Sequence, residues 1–273
     1  YADIEDRSKG CITYINKYRQ IAIDFVDRYP FTRFMGEKQI EKATSLVSEQ
    51  IDINALMIGF GKTNRQVFLT SVANNQFLEK RKGEIALKKV NYYVFDHANS
   101  RNDKNLNHSY YRYAEELRKA DVNAYLPLPS EPANDEFYFQ LDVNDHAFYA
   151  AVQDVIAKKQ DDINFVIVAF GSDLENLDMA QKLLEKKREW GVQNLVIFVK
   201  VRAALAKHSL FAEKDCYPFG VEKECVYDIK RITNDSLSAM AKLRNRLYAL
   251  EYRLSGGEKQ ADAREVFETA DLQ

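Results

Sequence analysis

Short apolar runs alternate along the chain with longer segments in which apolar residues recur every three or four positions. The runs predict strands and the longer segments predict helices, because side chains repeat every two residues in a strand and about every 3.6 in a helix. The predicted strands are residues 53–58, 88–95, 137–143, 164–170 and 195–201, with a last one at 225–229. The helices predicted between them are residues 65–77, 110–119, 147–158 and 177–190.

The order of these elements predicts the fold class. Strands that alternate with helices form a mainly parallel sheet with helices on both faces. The run at 164–170 is apolar throughout, as in a parallel strand buried on both faces. Because crossovers are right-handed, the doubly wound arrangement is the usual solution. We therefore expect an α/β protein with a doubly wound, mainly parallel Rossmann-type sheet and flanking N- and C-terminal helices.

The two ends of the chain predict those flanking helices. Residues 8–50 carry a helical apolar stripe that Pro30 interrupts, with a second helix at 38–50. Residues 235–254 predict a long helix, and the polar tail from Ser255 predicts a loose end. The expected organisation is an N-terminal helical segment at 1–50, a Rossmann nucleotide-binding domain at 51–205, and a C-terminal strand and helix extension with a loose tail at 206–273.

Composition and charge argue against several classes of partner. With 39 basic and 41 acidic side chains, the chain lacks the electrostatic footprint of a nucleic-acid-binding protein. No apolar run approaches the about 20 residues of a membrane helix, so no membrane contact is expected within these residues. The cysteines and histidines lack metal-ligand spacing, and the cysteine content suggests a reducing, cytoplasmic compartment. These residues are Cys11, Cys216, Cys225, His97, His108, His146 and His208.

A glycine turn follows the first predicted strand. Gly59 permits a tight turn, Gly61 lets the backbone approach a phosphate, and the next helix offers free N–H groups and a positive dipole end. Asn64 stands where a third glycine is usual, which predicts looser packing between helix and strand. We predict that the phosphates of a ligand lie at Gly59, Phe60, Gly61, Lys62, Thr63 and Asn64.

Acidic residues end the next two predicted strands. Asp96 would accept hydrogen bonds from a ribose diol and would repel the 2′-phosphate of NADP, or it is a solvated aspartate that opens a loop. Asp96 is further from Gly61 along the chain than the usual about 20 residues. We therefore predict that the polar stretch 79–84 is an insertion before the second strand. Asp142 would contact an adenine edge or cap the next turn. The neighbouring His97 and Val143 complete this part of the candidate site.

The fourth predicted strand ends in a small polar turn. Gly171 would face the crevice in which ligands bind at the carboxyl ends of open α/β sheets. Ser172 and Asp173 follow it, and they would line the same crevice or cap the next helix, the cap being the safer interpretation.

The sequence offers no convincing catalytic constellation, since it contains no Ser-His-Asp elbow, P-loop or Tyr-x-x-x-Lys pair. This favours binding over catalysis and leaves open whether the protein is an enzyme. One alternative is an NAD-dependent oxidoreductase, whose catalytic groups need not be neighbours in the chain. Another is a degenerate Rossmann fold that serves only as an interaction scaffold, with Asn64 as the sign of lost binding.

Three segments carry a resemblance to a known family. They are MIGFGKTNRQV at 57–67, FVIVAFGSDLENL at 165–177 and LVIFVKVR at 195–202. With these segments, the span from Asn54 to Arg202 resembles the RCK/KTN (Trk-type, regulator of potassium conductance) nucleotide-binding domains of channels and transporters.

The resemblance implies a cytosolic sensor that binds NAD(H), ATP, ADP or a related adenine nucleotide. It also implies a homo-oligomer, a dimer or larger ring, and a regulatory module that is the cytosolic part of a larger transport- or channel-related protein. The ligand would lie across Gly59, Gly61, Asp96 and Gly171.

Overall fold

The computed structural model describes residues 16–41, 43–96 and 138–227. The chain divides into two compact units, Tyr1–Cys225 and Val226–Gln273, and the helices and strands of the described residues belong to the first. His97, the predicted helices at 110–119 and 235–254, and the tail from Ser255 lie outside the described residues.

A parallel sheet forms the centre of the first unit. The strands in chain order are β1 Ile53–Ile58, β2 Phe77–Arg81, β3 Glu84–Lys88, β4 Val90–Asp96, β5 Tyr138–Gln140, β6 Ile163–Val168, β7 Leu195–Lys200 and β8 Cys216–Phe219. Within the described ranges the sheet has six strands in the order β5-β4-β1-β6-β7-β8, and each neighbouring pair is parallel. β2 and β3 form a separate antiparallel hairpin.

The order of the strands identifies the topology. Numbered along the chain, the six strands read 3-2-1-4-5-6 across the sheet, which is the order of the Rossmann fold. The direction of winding reverses between β1 and β6, so a crevice opens at the carboxyl ends of these strands. The predicted fold class, a doubly wound parallel α/β sheet, is confirmed.

Helices cover both faces of the sheet. They are α1 Lys17–Arg28, α2 Lys62–Asn74, α3 His146–Ile156, α4 Asp173–Glu189 and α5 Glu222–Cys225. Buried residues of α3 and α4 share a core with Ile197. On the other face, Phe25 of α1 meets Phe198 at 5.0 Å, and Phe68 of α2 meets Tyr92 at 5.2 Å, both edge to face. Because neighbouring strand residues point to opposite faces, Ile197 and Phe198 place these helix pairs on opposite sides.

The N-terminal helix α1 completes the face that α2 begins. It starts where the Asn16 side chain accepts hydrogen bonds from two backbone N–H groups of the first turn. Phe25 also packs on Phe219 of β8 at 5.0 Å, and Phe31, just beyond the helix, stacks on Phe165 of β6 at 3.9 Å. The part of the predicted 1–50 segment that is described therefore packs in the same unit as the sheet.

The helix predicted at 38–50 is wrong for the residues described there. Residues 38–41 and 43–50 form turns around an antiparallel bridge between Ile40 and Val47. The Thr44 hydroxyl accepts a hydrogen bond from the backbone N–H of Leu46. Such local side-chain bonds give the backbone an alternative to a helix, which an apolar periodicity does not reveal.

The end of the sheet also differs from the prediction. Cys225, predicted to begin the last strand, instead ends α5, and the outer strand is β8. Pro218 lies within β8, and a residue without an N–H is tolerated there because the strand is at the edge of the described sheet. The predicted insertion at 79–84 is the tip of the β2–β3 hairpin, in which Lys82 and Gly83 both have positive φ, as a type I′ turn requires.

Candidate functional site

The turn after β1 brings the three central strands together. Gly59 has a φ of +81°, and a Cβ added there would lie 2.3 Å from Cβ and 2.7 Å from Cα of Phe170, the second residue beyond β6. Its N–H donates to the carbonyl of Phe95 in β4 at 2.7 Å. Glycine is thus required at this position by both backbone conformation and space.

The second glycine lies in a different environment. Gly61 is the N-cap of α2, its φ of −71° is open to any residue, and an added Cβ would meet no atom within 4 Å. No side chain caps α2, and its first turn carries no acidic residue. The helix therefore presents backbone N–H groups and its positive dipole end to the space beyond Gly61. This arrangement suits an anion.

Asn64 links the start of α2 to the sheet. Its side chain is fully buried, and its Nδ2 donates to the carbonyls of Ile58 at 3.1 Å, Gly59 at 2.7 Å and Ile167 at 3.2 Å. An amide that bonds β1, β6 and the turn replaces the close approach that glycine would allow.

Of the other residues of the turn, two are buried and one is exposed. Phe60 is buried and meets Phe68 edge to face at 5.9 Å, and Thr63 is also buried. Neither side chain is therefore open to solvent. Lys62 is exposed, and its Nζ lies 5.9 Å from the centroid of the Tyr18 ring in α1.

Asp96 ends β4 directly beside the turn. It follows Phe95, whose carbonyl holds Gly59, and its own carbonyl accepts a hydrogen bond from the N–H of Leu141 at 3.1 Å. The side chain is half-buried. The fold therefore brings Asp96 and the glycine turn to the same edge of adjacent strands, as the sequence predicted. His97 lies outside the described residues.

Asp142 and Val143 serve the connection from β5 to α3. The Asp142 carboxylate accepts hydrogen bonds from the backbone N–H of Asn144 at 2.9 Å and from its side-chain amide at 3.0 Å. This is the turn-capping role that the sequence left open beside an adenine contact. Val143 is half-buried against the core that α3 and α4 share.

The start of α4 is occupied by its own side chains. The Ser172 hydroxyl accepts from the N–H of Glu175 at 3.3 Å, and the Glu175 carboxylate accepts from the N–H of Ser172 at 2.6 Å. This capping box lowers the pKa of the Glu175 carboxyl. A Cβ added at Gly171 would lie 2.5 Å from Oε2 of Glu175, and Asp173 accepts the N–H of Arg202 at 3.0 Å. The capping interpretation of Ser172 is confirmed.

A second buried asparagine, which the sequence analysis did not assign to the site, matches Asn64. Asn176 in the first turn of α4 accepts hydrogen bonds from the N–H groups of Phe170 and Gly171, at 3.1 and 3.3 Å, and donates to the carbonyl of Lys200 at 3.0 Å. The available signal was an asparagine soon after a glycine turn in both central helices. These two asparagines fix the loops that border the crevice.

The remaining chemistry of the described residues is sparse. Residues 16–41, 43–96 and 138–227 contain no group of three or more histidine, cysteine or acidic side chains that could hold a metal ion. In the same ranges no helix is long and apolar enough to cross a membrane. Comparison with known proteins adds no identity, since neither a protein-family model nor a curated protein matches the chain.

Proposed function

We propose that the protein binds an adenine nucleotide, NAD(H) or a related molecule, with its phosphates at the turn from Gly59 to Gly61. One observation carries the proposal: α2 begins without a side-chain cap at the point where the winding of a 3-2-1-4-5-6 sheet reverses. Helix starts at this point of open α/β sheets are where phosphates bind.

The charges around the turn support this ligand. The N–H groups and dipole of α2 favour an anion, and the exposed ammonium of Lys62, in the first turn of the same helix, would add a positive charge. Asp96 on the adjacent strand is suited to a ribose diol, and its carboxylate disfavours a 2′-phosphate. The nucleotide is therefore NAD(H), ATP, ADP or a relative rather than NADP.

The regulatory part of the proposal rests on the resemblance to RCK/KTN domains and on the contact between Lys62 and Tyr18. A phosphate that draws the Lys62 side chain towards the turn also removes it from the Tyr18 ring in α1. Nucleotide binding would thereby alter the contact between α1 and α2, which is a route from a cytosolic site to a neighbouring part of a larger chain. Such a shift requires that the nucleotide binds the two arrangements with different affinity.

The test is thermal unfolding with NAD, NADH, NADP, ATP, ADP, AMP and cyclic di-AMP, followed by calorimetric titration of any nucleotide that stabilises the chain. A nucleotide at one hundred times its Kd adds about 2.7 kcal/mol to the free energy of unfolding. If none of these nucleotides raises the melting temperature, the interaction scaffold is the better account. Hydride transfer from NADH to a carbonyl substrate would instead indicate the oxidoreductase.

Gly61→Asp and Gly61→Asn are the matched variants. A Cβ at Gly61 would meet no atom within 4 Å, and aspartate and asparagine are both favourable N-cap residues, so each variant without ligand should be more stable by a few tenths of a kcal/mol, or about 1 °C. Only Gly61→Asp adds a negative charge at the phosphate position, and we expect it to bind the nucleotide at least about tenfold more weakly than Gly61→Asn. Equal affinity of the two variants would contradict a phosphate at this helix start.

A further inference from the structure

The β2–β3 hairpin has one face anchored to the rest of the unit. Glu79 of β2 is 1% exposed, and its carboxylate lies 2.7 Å from the ammonium of Lys88 in β3. The same ammonium donates to the carbonyl of Glu49 at 3.1 Å. The N–H of Val47 donates to the carbonyl of Leu78 at 2.7 Å, so the outer edge of β2 is also bonded. Contacts on its inner face and along the β2 edge therefore hold the hairpin in a fixed position on the rest of the unit.

The outer face of the hairpin is exposed and mostly apolar, with Lys80 opposite Ile85 as its charged member. Leu78 and Leu87 are directly opposite each other and are 44% and 39% exposed, and Ile85 beside them is 68% exposed. Three exposed aliphatic side chains on one face of a two-stranded ribbon mark an interaction surface more often than scattered single residues do. In the described part of the chain, β3 pairs with β2 alone, and an unpaired edge strand is a template for another strand.

We propose that a second copy of this chain pairs with β3 edge to edge, antiparallel and centred on Ala86, to form a twofold-symmetric dimer. The residues of β3 are self-complementary in this register. Glu84 lies opposite Lys88 of the copy, and Ile85 lies opposite Leu87 of the copy, each pair occurring twice. Ala86 faces its own counterpart on the axis.

The paired hairpins form a four-stranded sheet. In this register apolar residues meet on its outer face, and no like charges are opposite each other on its inner face. On the outer face, Leu78 and Leu87 of one copy continue into Ile85 of the other, so two rows of three apolar residues cross the dimer, and each row ends at Lys80. On the inner face, Arg81 lies opposite Glu84 within one hairpin, and Glu84 lies opposite Lys88 of the copy, whose ammonium is held by Glu79 of its own chain. No like charges are directly opposite in this register, which satisfies the requirement that a twofold interface complement itself.

Cysteine cross-linking at the axis tests the register. The Cα atoms of directly opposed residues in antiparallel strands are about 4.5–5.5 Å apart, within the range of a disulfide. Ala86→Cys in a Cys11→Ser background should form a covalent dimer under mild oxidation. Leu78→Cys is the control, because three strand spacings place the two copies of residue 78 about 14 Å apart although the site is more exposed. Cross-linking at both sites, or at Leu78→Cys alone, would overturn the register.

Sedimentation or light scattering over a range of protein concentrations tests the dimer itself. Ile85→Lys places a charge in both apolar rows and should raise the dimer dissociation constant at least about tenfold. Leu174→Lys, the same change at a residue of α4 that is 70% exposed, should leave it unchanged. If the chain is monomeric at every concentration, no second copy pairs with β3, and the proposal is refuted. A dimer that Ile85→Lys does not weaken forms through another surface and also refutes the proposal.

Discussion

Replacing Asn64 with the glycine that is usual at this position should destabilise the protein. The Nδ2 group of Asn64 donates its two hydrogens among three buried carbonyls, those of Ile58, Gly59 and Ile167. Each hydrogen bond contributes about 0.5–1.5 kcal/mol, and a buried carbonyl left without a donor costs about 1–3 kcal/mol. Glycine also removes the buried side chain, and its lower helix propensity costs a few tenths of a kcal/mol more.

The expected loss for Asn64→Gly is about 2–4 kcal/mol in the free energy of unfolding, measured by urea denaturation followed by circular dichroism. This corresponds to a fall of about 4–16 °C in the melting temperature. Asn74→Gly is the matched control, because Asn74 lies in the same helix, is exposed and donates one hydrogen bond to Thr70 at 2.8 Å. We expect it to cost no more than about 1 kcal/mol.

The isosteric change Asn64→Asp separates hydrogen bonding from packing. It keeps the shape of the side chain but turns a carboxylate oxygen towards three carbonyl oxygens, so it should destabilise at least as much as Asn64→Gly. If Asn64→Gly is as stable as the unmodified chain, the asparagine does not join α2 to β1 and β6. The interpretation of Asn64 as a mark of a degenerate site would then regain its support.

Two further predictions concern the turns and the thiols. Gly59→Ala should lower the free energy of unfolding by roughly 1–3 kcal/mol more than Gly83→Ala, because both glycines have positive φ but only the first has no room for a Cβ; equal losses in urea denaturation would show that space is not limiting. Burial raises the pKa of Cys216 to about 12 and of Cys225 to about 11. In a Cys11→Ser background, a disulfide reagent at pH 8 should therefore label the thiols only after unfolding in urea, and rapid labelling of the native chain would contradict this.

The sequence located the central strands well because their residues form nearly continuous apolar runs. The first strand was predicted at 53–58, where β1 lies, and the run at 195–201 matches β7 to within one residue. The helices that follow the central strands begin three or four residues before the predicted starts of 65 and 177. Their first turns are polar and lie at the edge of the sheet, so apolar periodicity begins only after they do.

The interactions that decide the site were harder to predict. Asn64 is buried because β6, about a hundred positions later in the chain, presents the carbonyl of Ile167 to it. A local pattern cannot contain that contact, so the sequence did not predict that the side chain of Asn64 joins α2 to β6. The two strands of the hairpin were not predicted for a related reason. A two-stranded ribbon with one exposed face mixes charged and apolar residues without a clear period.

The contrast between the two central helices supports the phosphate position that we propose. α2 and α4 both follow a central strand and a glycine turn, and a buried asparagine ties each of them to the sheet. At α4, Ser172 and Glu175 satisfy the free N–H groups from within the chain. At α2, Gly61 supplies no such group and the space before it is open. An uncapped helix start is itself a cost in stability, and the anion that we propose at the switch point of the sheet would offset that cost.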